Sequence, residues 1–109
     1  MKRILLQIVV LTALCVSCRK QDIRTFTIHV PDMKNQACAS IIANALMREQ
    51  GLRGDDIQVD SAARTVTVKY DSLQRAQKNL VFAVVKAGFA ANGVPANADA
   101  QKALPAECK

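Results

Sequence analysis

Two kinds of hydrophobic periodicity alternate along this chain, and their order leaves few folds open. Between Thr25 and Val30 the apolar Phe26, Ile28 and Val30 alternate with Thr25, Thr27 and His29. Period two over six residues is the pattern of a half-buried strand, and Pro31-Asp32 ends it. The spacing then changes to three and four: Cys38, Ile41, Ile42, Ala45 and Leu46 fall on one helical face, with Asn35 placed as N-cap and Gly51 as the stop. Ile57 and Val59 alternate with polar residues, a loop runs through Asp60-Ser61-Ala62-Ala63, and Val66, Val68 and Tyr70 alternate again. That pattern predicts a β-hairpin. Asp71 with Gln74 makes a variant capping box for a second helix, whose inward stripe is Ala76, Leu80, Ala83, Val84 and Ala87 and which Gly88 closes. Phe89 to Val94 then reads as a last short strand.

Strand–helix–strand–strand–helix–strand is the ferredoxin-like order. The expected fold is therefore α+β, a four-stranded antiparallel sheet with two helices on one face, formed by residues 24–94. Its core would join Ile28, Val30, Ile42, Leu46, Val66, Val68, Leu80 and Val84. The 109 residues leave room for one such domain. Phe82 and Val85 fall off the inward stripe of the second helix, and the tail, residues 95–109, is the segment expected to cover them. It begins at Pro95 and offers one or two helical turns between Ala98 and Leu104.

The first seventeen residues do not belong to that unit. Lys2 and Arg3 precede an apolar run from Ile4 to Val16, broken only by Gln7 and Thr12. A charged start, a short apolar middle and a small residue at Ser17 are the parts of a secretory signal, and the run is too short to span a bilayer. The close of the segment, Leu14-Cys15-Val16-Ser17-Cys18, resembles the lipobox of bacterial lipoproteins, in which a small residue precedes the cysteine that becomes lipidated and N-terminal. That resemblance implies lipidation at Cys18, a tether over residues 18–23, and an anchor in a membrane facing the periplasm or cell exterior.

Loss of residues 1–17 removes two basic residues and leaves 13 Lys and Arg against 9 Asp and Glu. These basic residues are scattered, with little aromatic interleaving, so nucleic acid is not an expected partner. Arg19 and Lys20 beside the anchor suit anionic head groups or a solvated linker. Of four cysteines, Cys15 leaves with the signal and Cys18 takes the lipid, so Cys38 and Cys108 remain, in a compartment where disulfides persist. His29 lies on the polar face of its strand and reads as a solvated side chain.

The stretch from Thr27 through Pro31-Asp32-Met33-Lys34-Asn35-Gln36-Ala37-Cys38 resembles the heavy-metal-associated signature, a strand followed by Gly-Met-x-Cys-x-x-Cys at the start of a helix. The hairpin from Ile57 to Tyr70 and the Val84-Val85-Lys86-Ala87-Gly88-Phe89 close of the second helix look like the same family. The resemblance implies a soft cation such as Cu(I) in the loop, and a metal transporter or metal-donor protein as partner. Cys38 stands where the family has its second cysteine and Asn35 where it has its first; Asp32 replaces the glycine, and Met33 matches a methionine that serves the core.

Three functions follow as expectations. In the first, Cys38 in the first helical turn, where the helix dipole favours a thiolate, joins Cys108 to hold Cu(I) or another soft ion. The chain would then be a metallochaperone-like or sequestering lipoprotein. Thirteen residues separate Val94 from Cys108, enough to return roughly 20 Å to the loop. In the second, the two cysteines form a disulfide that clamps the tail, stabilising by ~3–4 kcal/mol, and the domain is an accessory or partner-binding unit without metal. A free Cys38 turned into the core is equally open at this point. The third is an enzyme; no Cys-x-x-Cys, nucleophile–base pair or paired carboxylates support it, so the chain reads as non-catalytic.

Overall fold

Phe26, Ile28 and Val30 turn to one side of the first strand and Thr25, Thr27 and His29 to the other, and the structure uses that division to build a two-layer domain. The computed structural model describes residues 3–4 and 20–109; the signal segment and Cys18 lie outside the described residues. Strand β1 (Ile23–His29) leads to helix α1 (Gln36–Gln50), a 3-10 turn at Gly54–Asp56, the hairpin β2 (Ile57–Asp60) and β3 (Thr65–Asp71), and helix α2 (Gln77–Lys86). The tail adds helix α3 (Ala98–Ala103) and a 3-10 turn at Ala106–Cys108. The sheet is antiparallel in the order β1-β3-β2, with Phe26 and Ile57 flanking Val68, and Ile28 and Val59 flanking Val66.

The core has the expected members. Ile28, Val30, Ile42, Leu46, Val66, Val68, Leu80 and Val84 are all fully buried, as are Met33 and Phe89. Gly51 caps α1 in the left-handed region at φ 64°. The variant capping box is not formed. Asp71 stays in β3 and spends its carboxylate on the amides of Leu73 and Asp22, and α2 starts at Gln77 behind Ala76, which offers no side-chain cap.

The expected fourth strand is also absent among the described residues: the arrangement is ferredoxin-like with three strands. The reason is the turn at Asn92-Gly93. Both residues take positive φ, 48° and 79°, which lets a two-residue turn join Ala91 to Val94 through a pair of hydrogen bonds of 3.1 and 2.9 Å. The chain therefore doubles back where β4 would have run along β1. Among the described residues, hydrogen bonds from that side reach only His29: its amide donates to Asn92 Oδ1 at 2.7 Å and its carbonyl accepts from the Asn92 amide at 3.0 Å.

From Val94 the tail crosses the helical layer instead. The Asn97 amide donates to the Val85 carbonyl at 3.1 Å, and the Asn97 side chain caps α3 through the Ala100 amide at 3.0 Å. Gly88, at φ 108°, lets α3 come this close, because a Cβ there would stand 2.9 Å from the Ala100 carbonyl oxygen. The tail covers Val85, now buried, and leaves Phe82 exposed at 62%. Half of the covering expected of it is realised.

Candidate functional site

The N-terminus of α1 and the end of the tail meet at one point, and the meeting is covalent. Asn35 sits in extended backbone just before α1, and its Oδ1 accepts from the Cys38 amide at 3.1 Å. This is the N-cap expected from the sequence, and it fixes Cys38 in the first turn. The 3-10 turn at Ala106–Cys108 brings Cys108 alongside, and the two cysteines form a disulfide with Cα atoms 5.7 Å apart and 70 residues of separation. That Cα distance is in the middle of the range such bonds span. Cys38 is fully buried and Cys108 is 2% exposed, so both belong to the hydrophobic core, as does Leu104.

Two contacts reinforce the seam. Asn35 Nδ2 donates to the Glu107 carbonyl at 3.2 Å, so one amide caps the helix and ties down the tail. Lys34 Nζ donates to the Lys109 carbonyl at 2.6 Å. Neither contact is visible as a pattern in the sequence, since each joins residues more than seventy positions apart.

The structure thus brings Cys38 and Cys108 together but not as a metal centre. The expectation that they hold Cu(I) or another soft ion as free thiolates is overturned: both sulfurs are used in the bond to each other, which leaves no thiolate for a soft cation. Among the described residues no group of three or more His, Cys, Asp or Glu is arranged to hold a metal ion. Asn35, at the family's other ligand position, is committed to the Cys38 amide and the Glu107 carbonyl. Met33 is fully buried in the core, as its family counterpart implies, and His29 is exposed on the far side of the sheet. A copper-binding, metallochaperone-like role is accordingly set aside, and with it the metal as cofactor.

Among solved structures, the chain is similar to oxidised MerP from Ralstonia metallidurans CH34, with a TM-score of 0.59 and 24% identity over 65% of this chain and 96% of that one. At that identity the likeness shows the fold. No curated protein matches the chain. Residues 27–90 match the heavy-metal-associated domain, a span that runs from β1 through α2 and includes the capped turn at Asn35 and Cys38. The match covers more than half of the sequence, and the chain belongs to the heavy-metal-associated domain family.

Proposed function

We propose that this protein is an accessory, partner-binding module of the heavy-metal-associated fold, in which the family's metal loop is sealed by a structural disulfide. Family membership makes it a non-enzymatic domain. The observation that carries the reading is the Cys38–Cys108 bond, with Asn35 tied to both the helix and the tail around it. The bond closes a long loop, for which the chain-entropy account gives a stabilisation of about 4 kcal/mol. A small domain gains a large share of its stability from such a link. A protein of a metal-transport system is the class of partner that family membership supports.

The protein then works in the cell envelope. Cleavage before Cys18 and lipidation of that residue would leave residues 18–23 as a tether, 24–94 as the domain and 95–109 as its latched tail. The Val16-Ser17-Cys18 boundary supports this, and so does the disulfide, which persists in compartments outside the cytoplasm. Among the described residues no helix is long and apolar enough to cross a membrane. The test is peptide mapping of protein purified without reductant, with Cu(I) offered by a competing chelator in parallel. A Cys38–Cys108 cross-linked peptide and no copper uptake are expected. Free thiols at both positions would refute the reading.

A further inference from the structure

Among the described residues the turn at Asn92-Gly93 leaves β1 as an edge strand, and the backbone shows which of its groups have no partner there. Val30 donates to Arg64 and Asp22 accepts from Ser72, each at 2.9 Å, so the even-numbered residues of β1 exchange hydrogen bonds with β3. His29 points its amide and carbonyl the other way, to Asn92. The odd-numbered Ile23, Thr25 and Thr27 therefore present their N–H and C=O groups to the open edge, where no described strand pairs with them. Folded proteins protect such an edge with charge, proline or a bulge. None of the three residues carries a charge or is proline, and their register with β3 is unbroken.

Beside this edge lies a mostly apolar groove of about 340 Å³, lined by Phe26, Val81, Phe82 and Val94 together with Gln77, Lys78 and Asn92. Phe82 is 62% exposed and Val94 43%, so two large apolar side chains face solvent next to unpaired backbone. Scattered exposed hydrophobics need no explanation, but a contiguous strip along a bare strand edge marks a binding surface.

We infer that this edge and groove bind an extended segment of a partner protein by strand addition, with alternate apolar side chains of that segment under α2 and an acidic residue on the same face reaching Lys78. The three free residues define a strand about five residues long. Strand addition uses main-chain hydrogen bonds for affinity and the groove for selection. The groove lining contains Lys78 and no acidic residue, which sets the sign of the complementary charge. A second copy does not fit. β1 from Ile23 to His29 contains no acidic residue, so a second copy adding its own β1 would bring no carboxylate to Lys78.

This inference deepens the partner-binding part of the proposed function and does not depend on the sulfurs. The probe is a synthetic peptide, blocked at both ends, alternating valine and threonine with one glutamate on the valine face. It is titrated into the isotope-labelled mature chain, purified in detergent with its disulfide verified by mass. Saturable amide shifts are expected at Ile23, Thr25 and Thr27 and along the groove. Thr25→Pro should lose binding while keeping the fold, since that N–H is outside the β1–β3 ladder. Phe82→Ser should weaken binding at least about tenfold, which is roughly 1.4 kcal/mol, and replacing the peptide's glutamate by lysine should weaken it severalfold. Absence of shifts, binding unchanged in both variants, or self-association of the chain through this edge would overturn the inference. The disulfide reading would stand in each case.

Discussion

The side-chain amide of Asn35 holds the carbonyl of Glu107 at 3.2 Å while its oxygen caps the Cys38 amide at 3.1 Å, so one residue joins the first turn of α1 to the last turn of the tail. At the position where the family carries a metal-binding cysteine, this chain has a polar residue that closes the loop. The seam predicts how the protein responds when each part is removed.

Cys108→Ala releases the tail from Cys38. Loss of a native disulfide from a small domain costs about 2–5 kcal/mol, and the exposed tail should become sensitive to protease after Leu104. Chemical denaturation and limited proteolysis read both effects. A loss under half of that lower bound would mean that the tail stays docked without the bond, through Leu104, Asn97 and the Asn35 and Lys34 hydrogen bonds.

Asn35 has two roles that substitution separates. Asn35→Ala removes both and should cost about 0.5–2 kcal/mol through the cap alone. Asn35→Asp keeps the acceptor for Cys38 and loses the donor to Glu107. Amide exchange should then stay slow in α1 and quicken at Cys108, whose amide donates to Pro105 at 2.9 Å. Equal quickening in both places would contradict the division of roles.

Gly88→Ala meets both a positive φ of 108° and the Ala100 carbonyl 2.9 Å away. Backbone in that region costs a residue with a Cβ about 1–3 kcal/mol, and α3 has to move. The expected result is a lower melting temperature with α3 detached, seen as loss of protection at Ala100 and Gln101. Leu80→Ala, by contrast, empties a fully buried site in the main core and should cost about 2–5 kcal/mol without freeing the tail.

Cys18→Ala tests the anchor apart from the fold. Lipid processing should stop, and intact mass should show no acyl addition. A soluble mature protein with an unmodified Cys18 in the parent would show that there is no lipid anchor.

Most of the domain was legible because its elements are set by local periodicity. Phe26-Ile28-Val30 and Val66-Val68-Tyr70 alternate, and Ile42, Leu46, Leu80 and Val84 recur at helical spacing, so strand and helix types follow from the residues themselves. The absent fourth strand had its own signal, the Asn92-Gly93 pair, which is a strong two-residue turn former. Phe89, Ala90, Ala91 and Val94 around it are apolar, and that character by itself predicts a strand. The state of the site was not legible. Thiolate ligands and a disulfide need the same two cysteines and the same reach of tail, and only the position of Cys108 against Cys38 tells them apart.

The Cys38–Cys108 bond seals the loop with sulfur. Its most direct test is alkylation of the native protein, purified from envelopes without reductant, followed by mass mapping before and after reduction. No alkylation is expected at Cys38 or Cys108 until a reductant is added, and one cross-linked peptide containing both. Alkylation of both residues in the native protein, with uptake of one Cu(I) from a competing chelator, would contradict it.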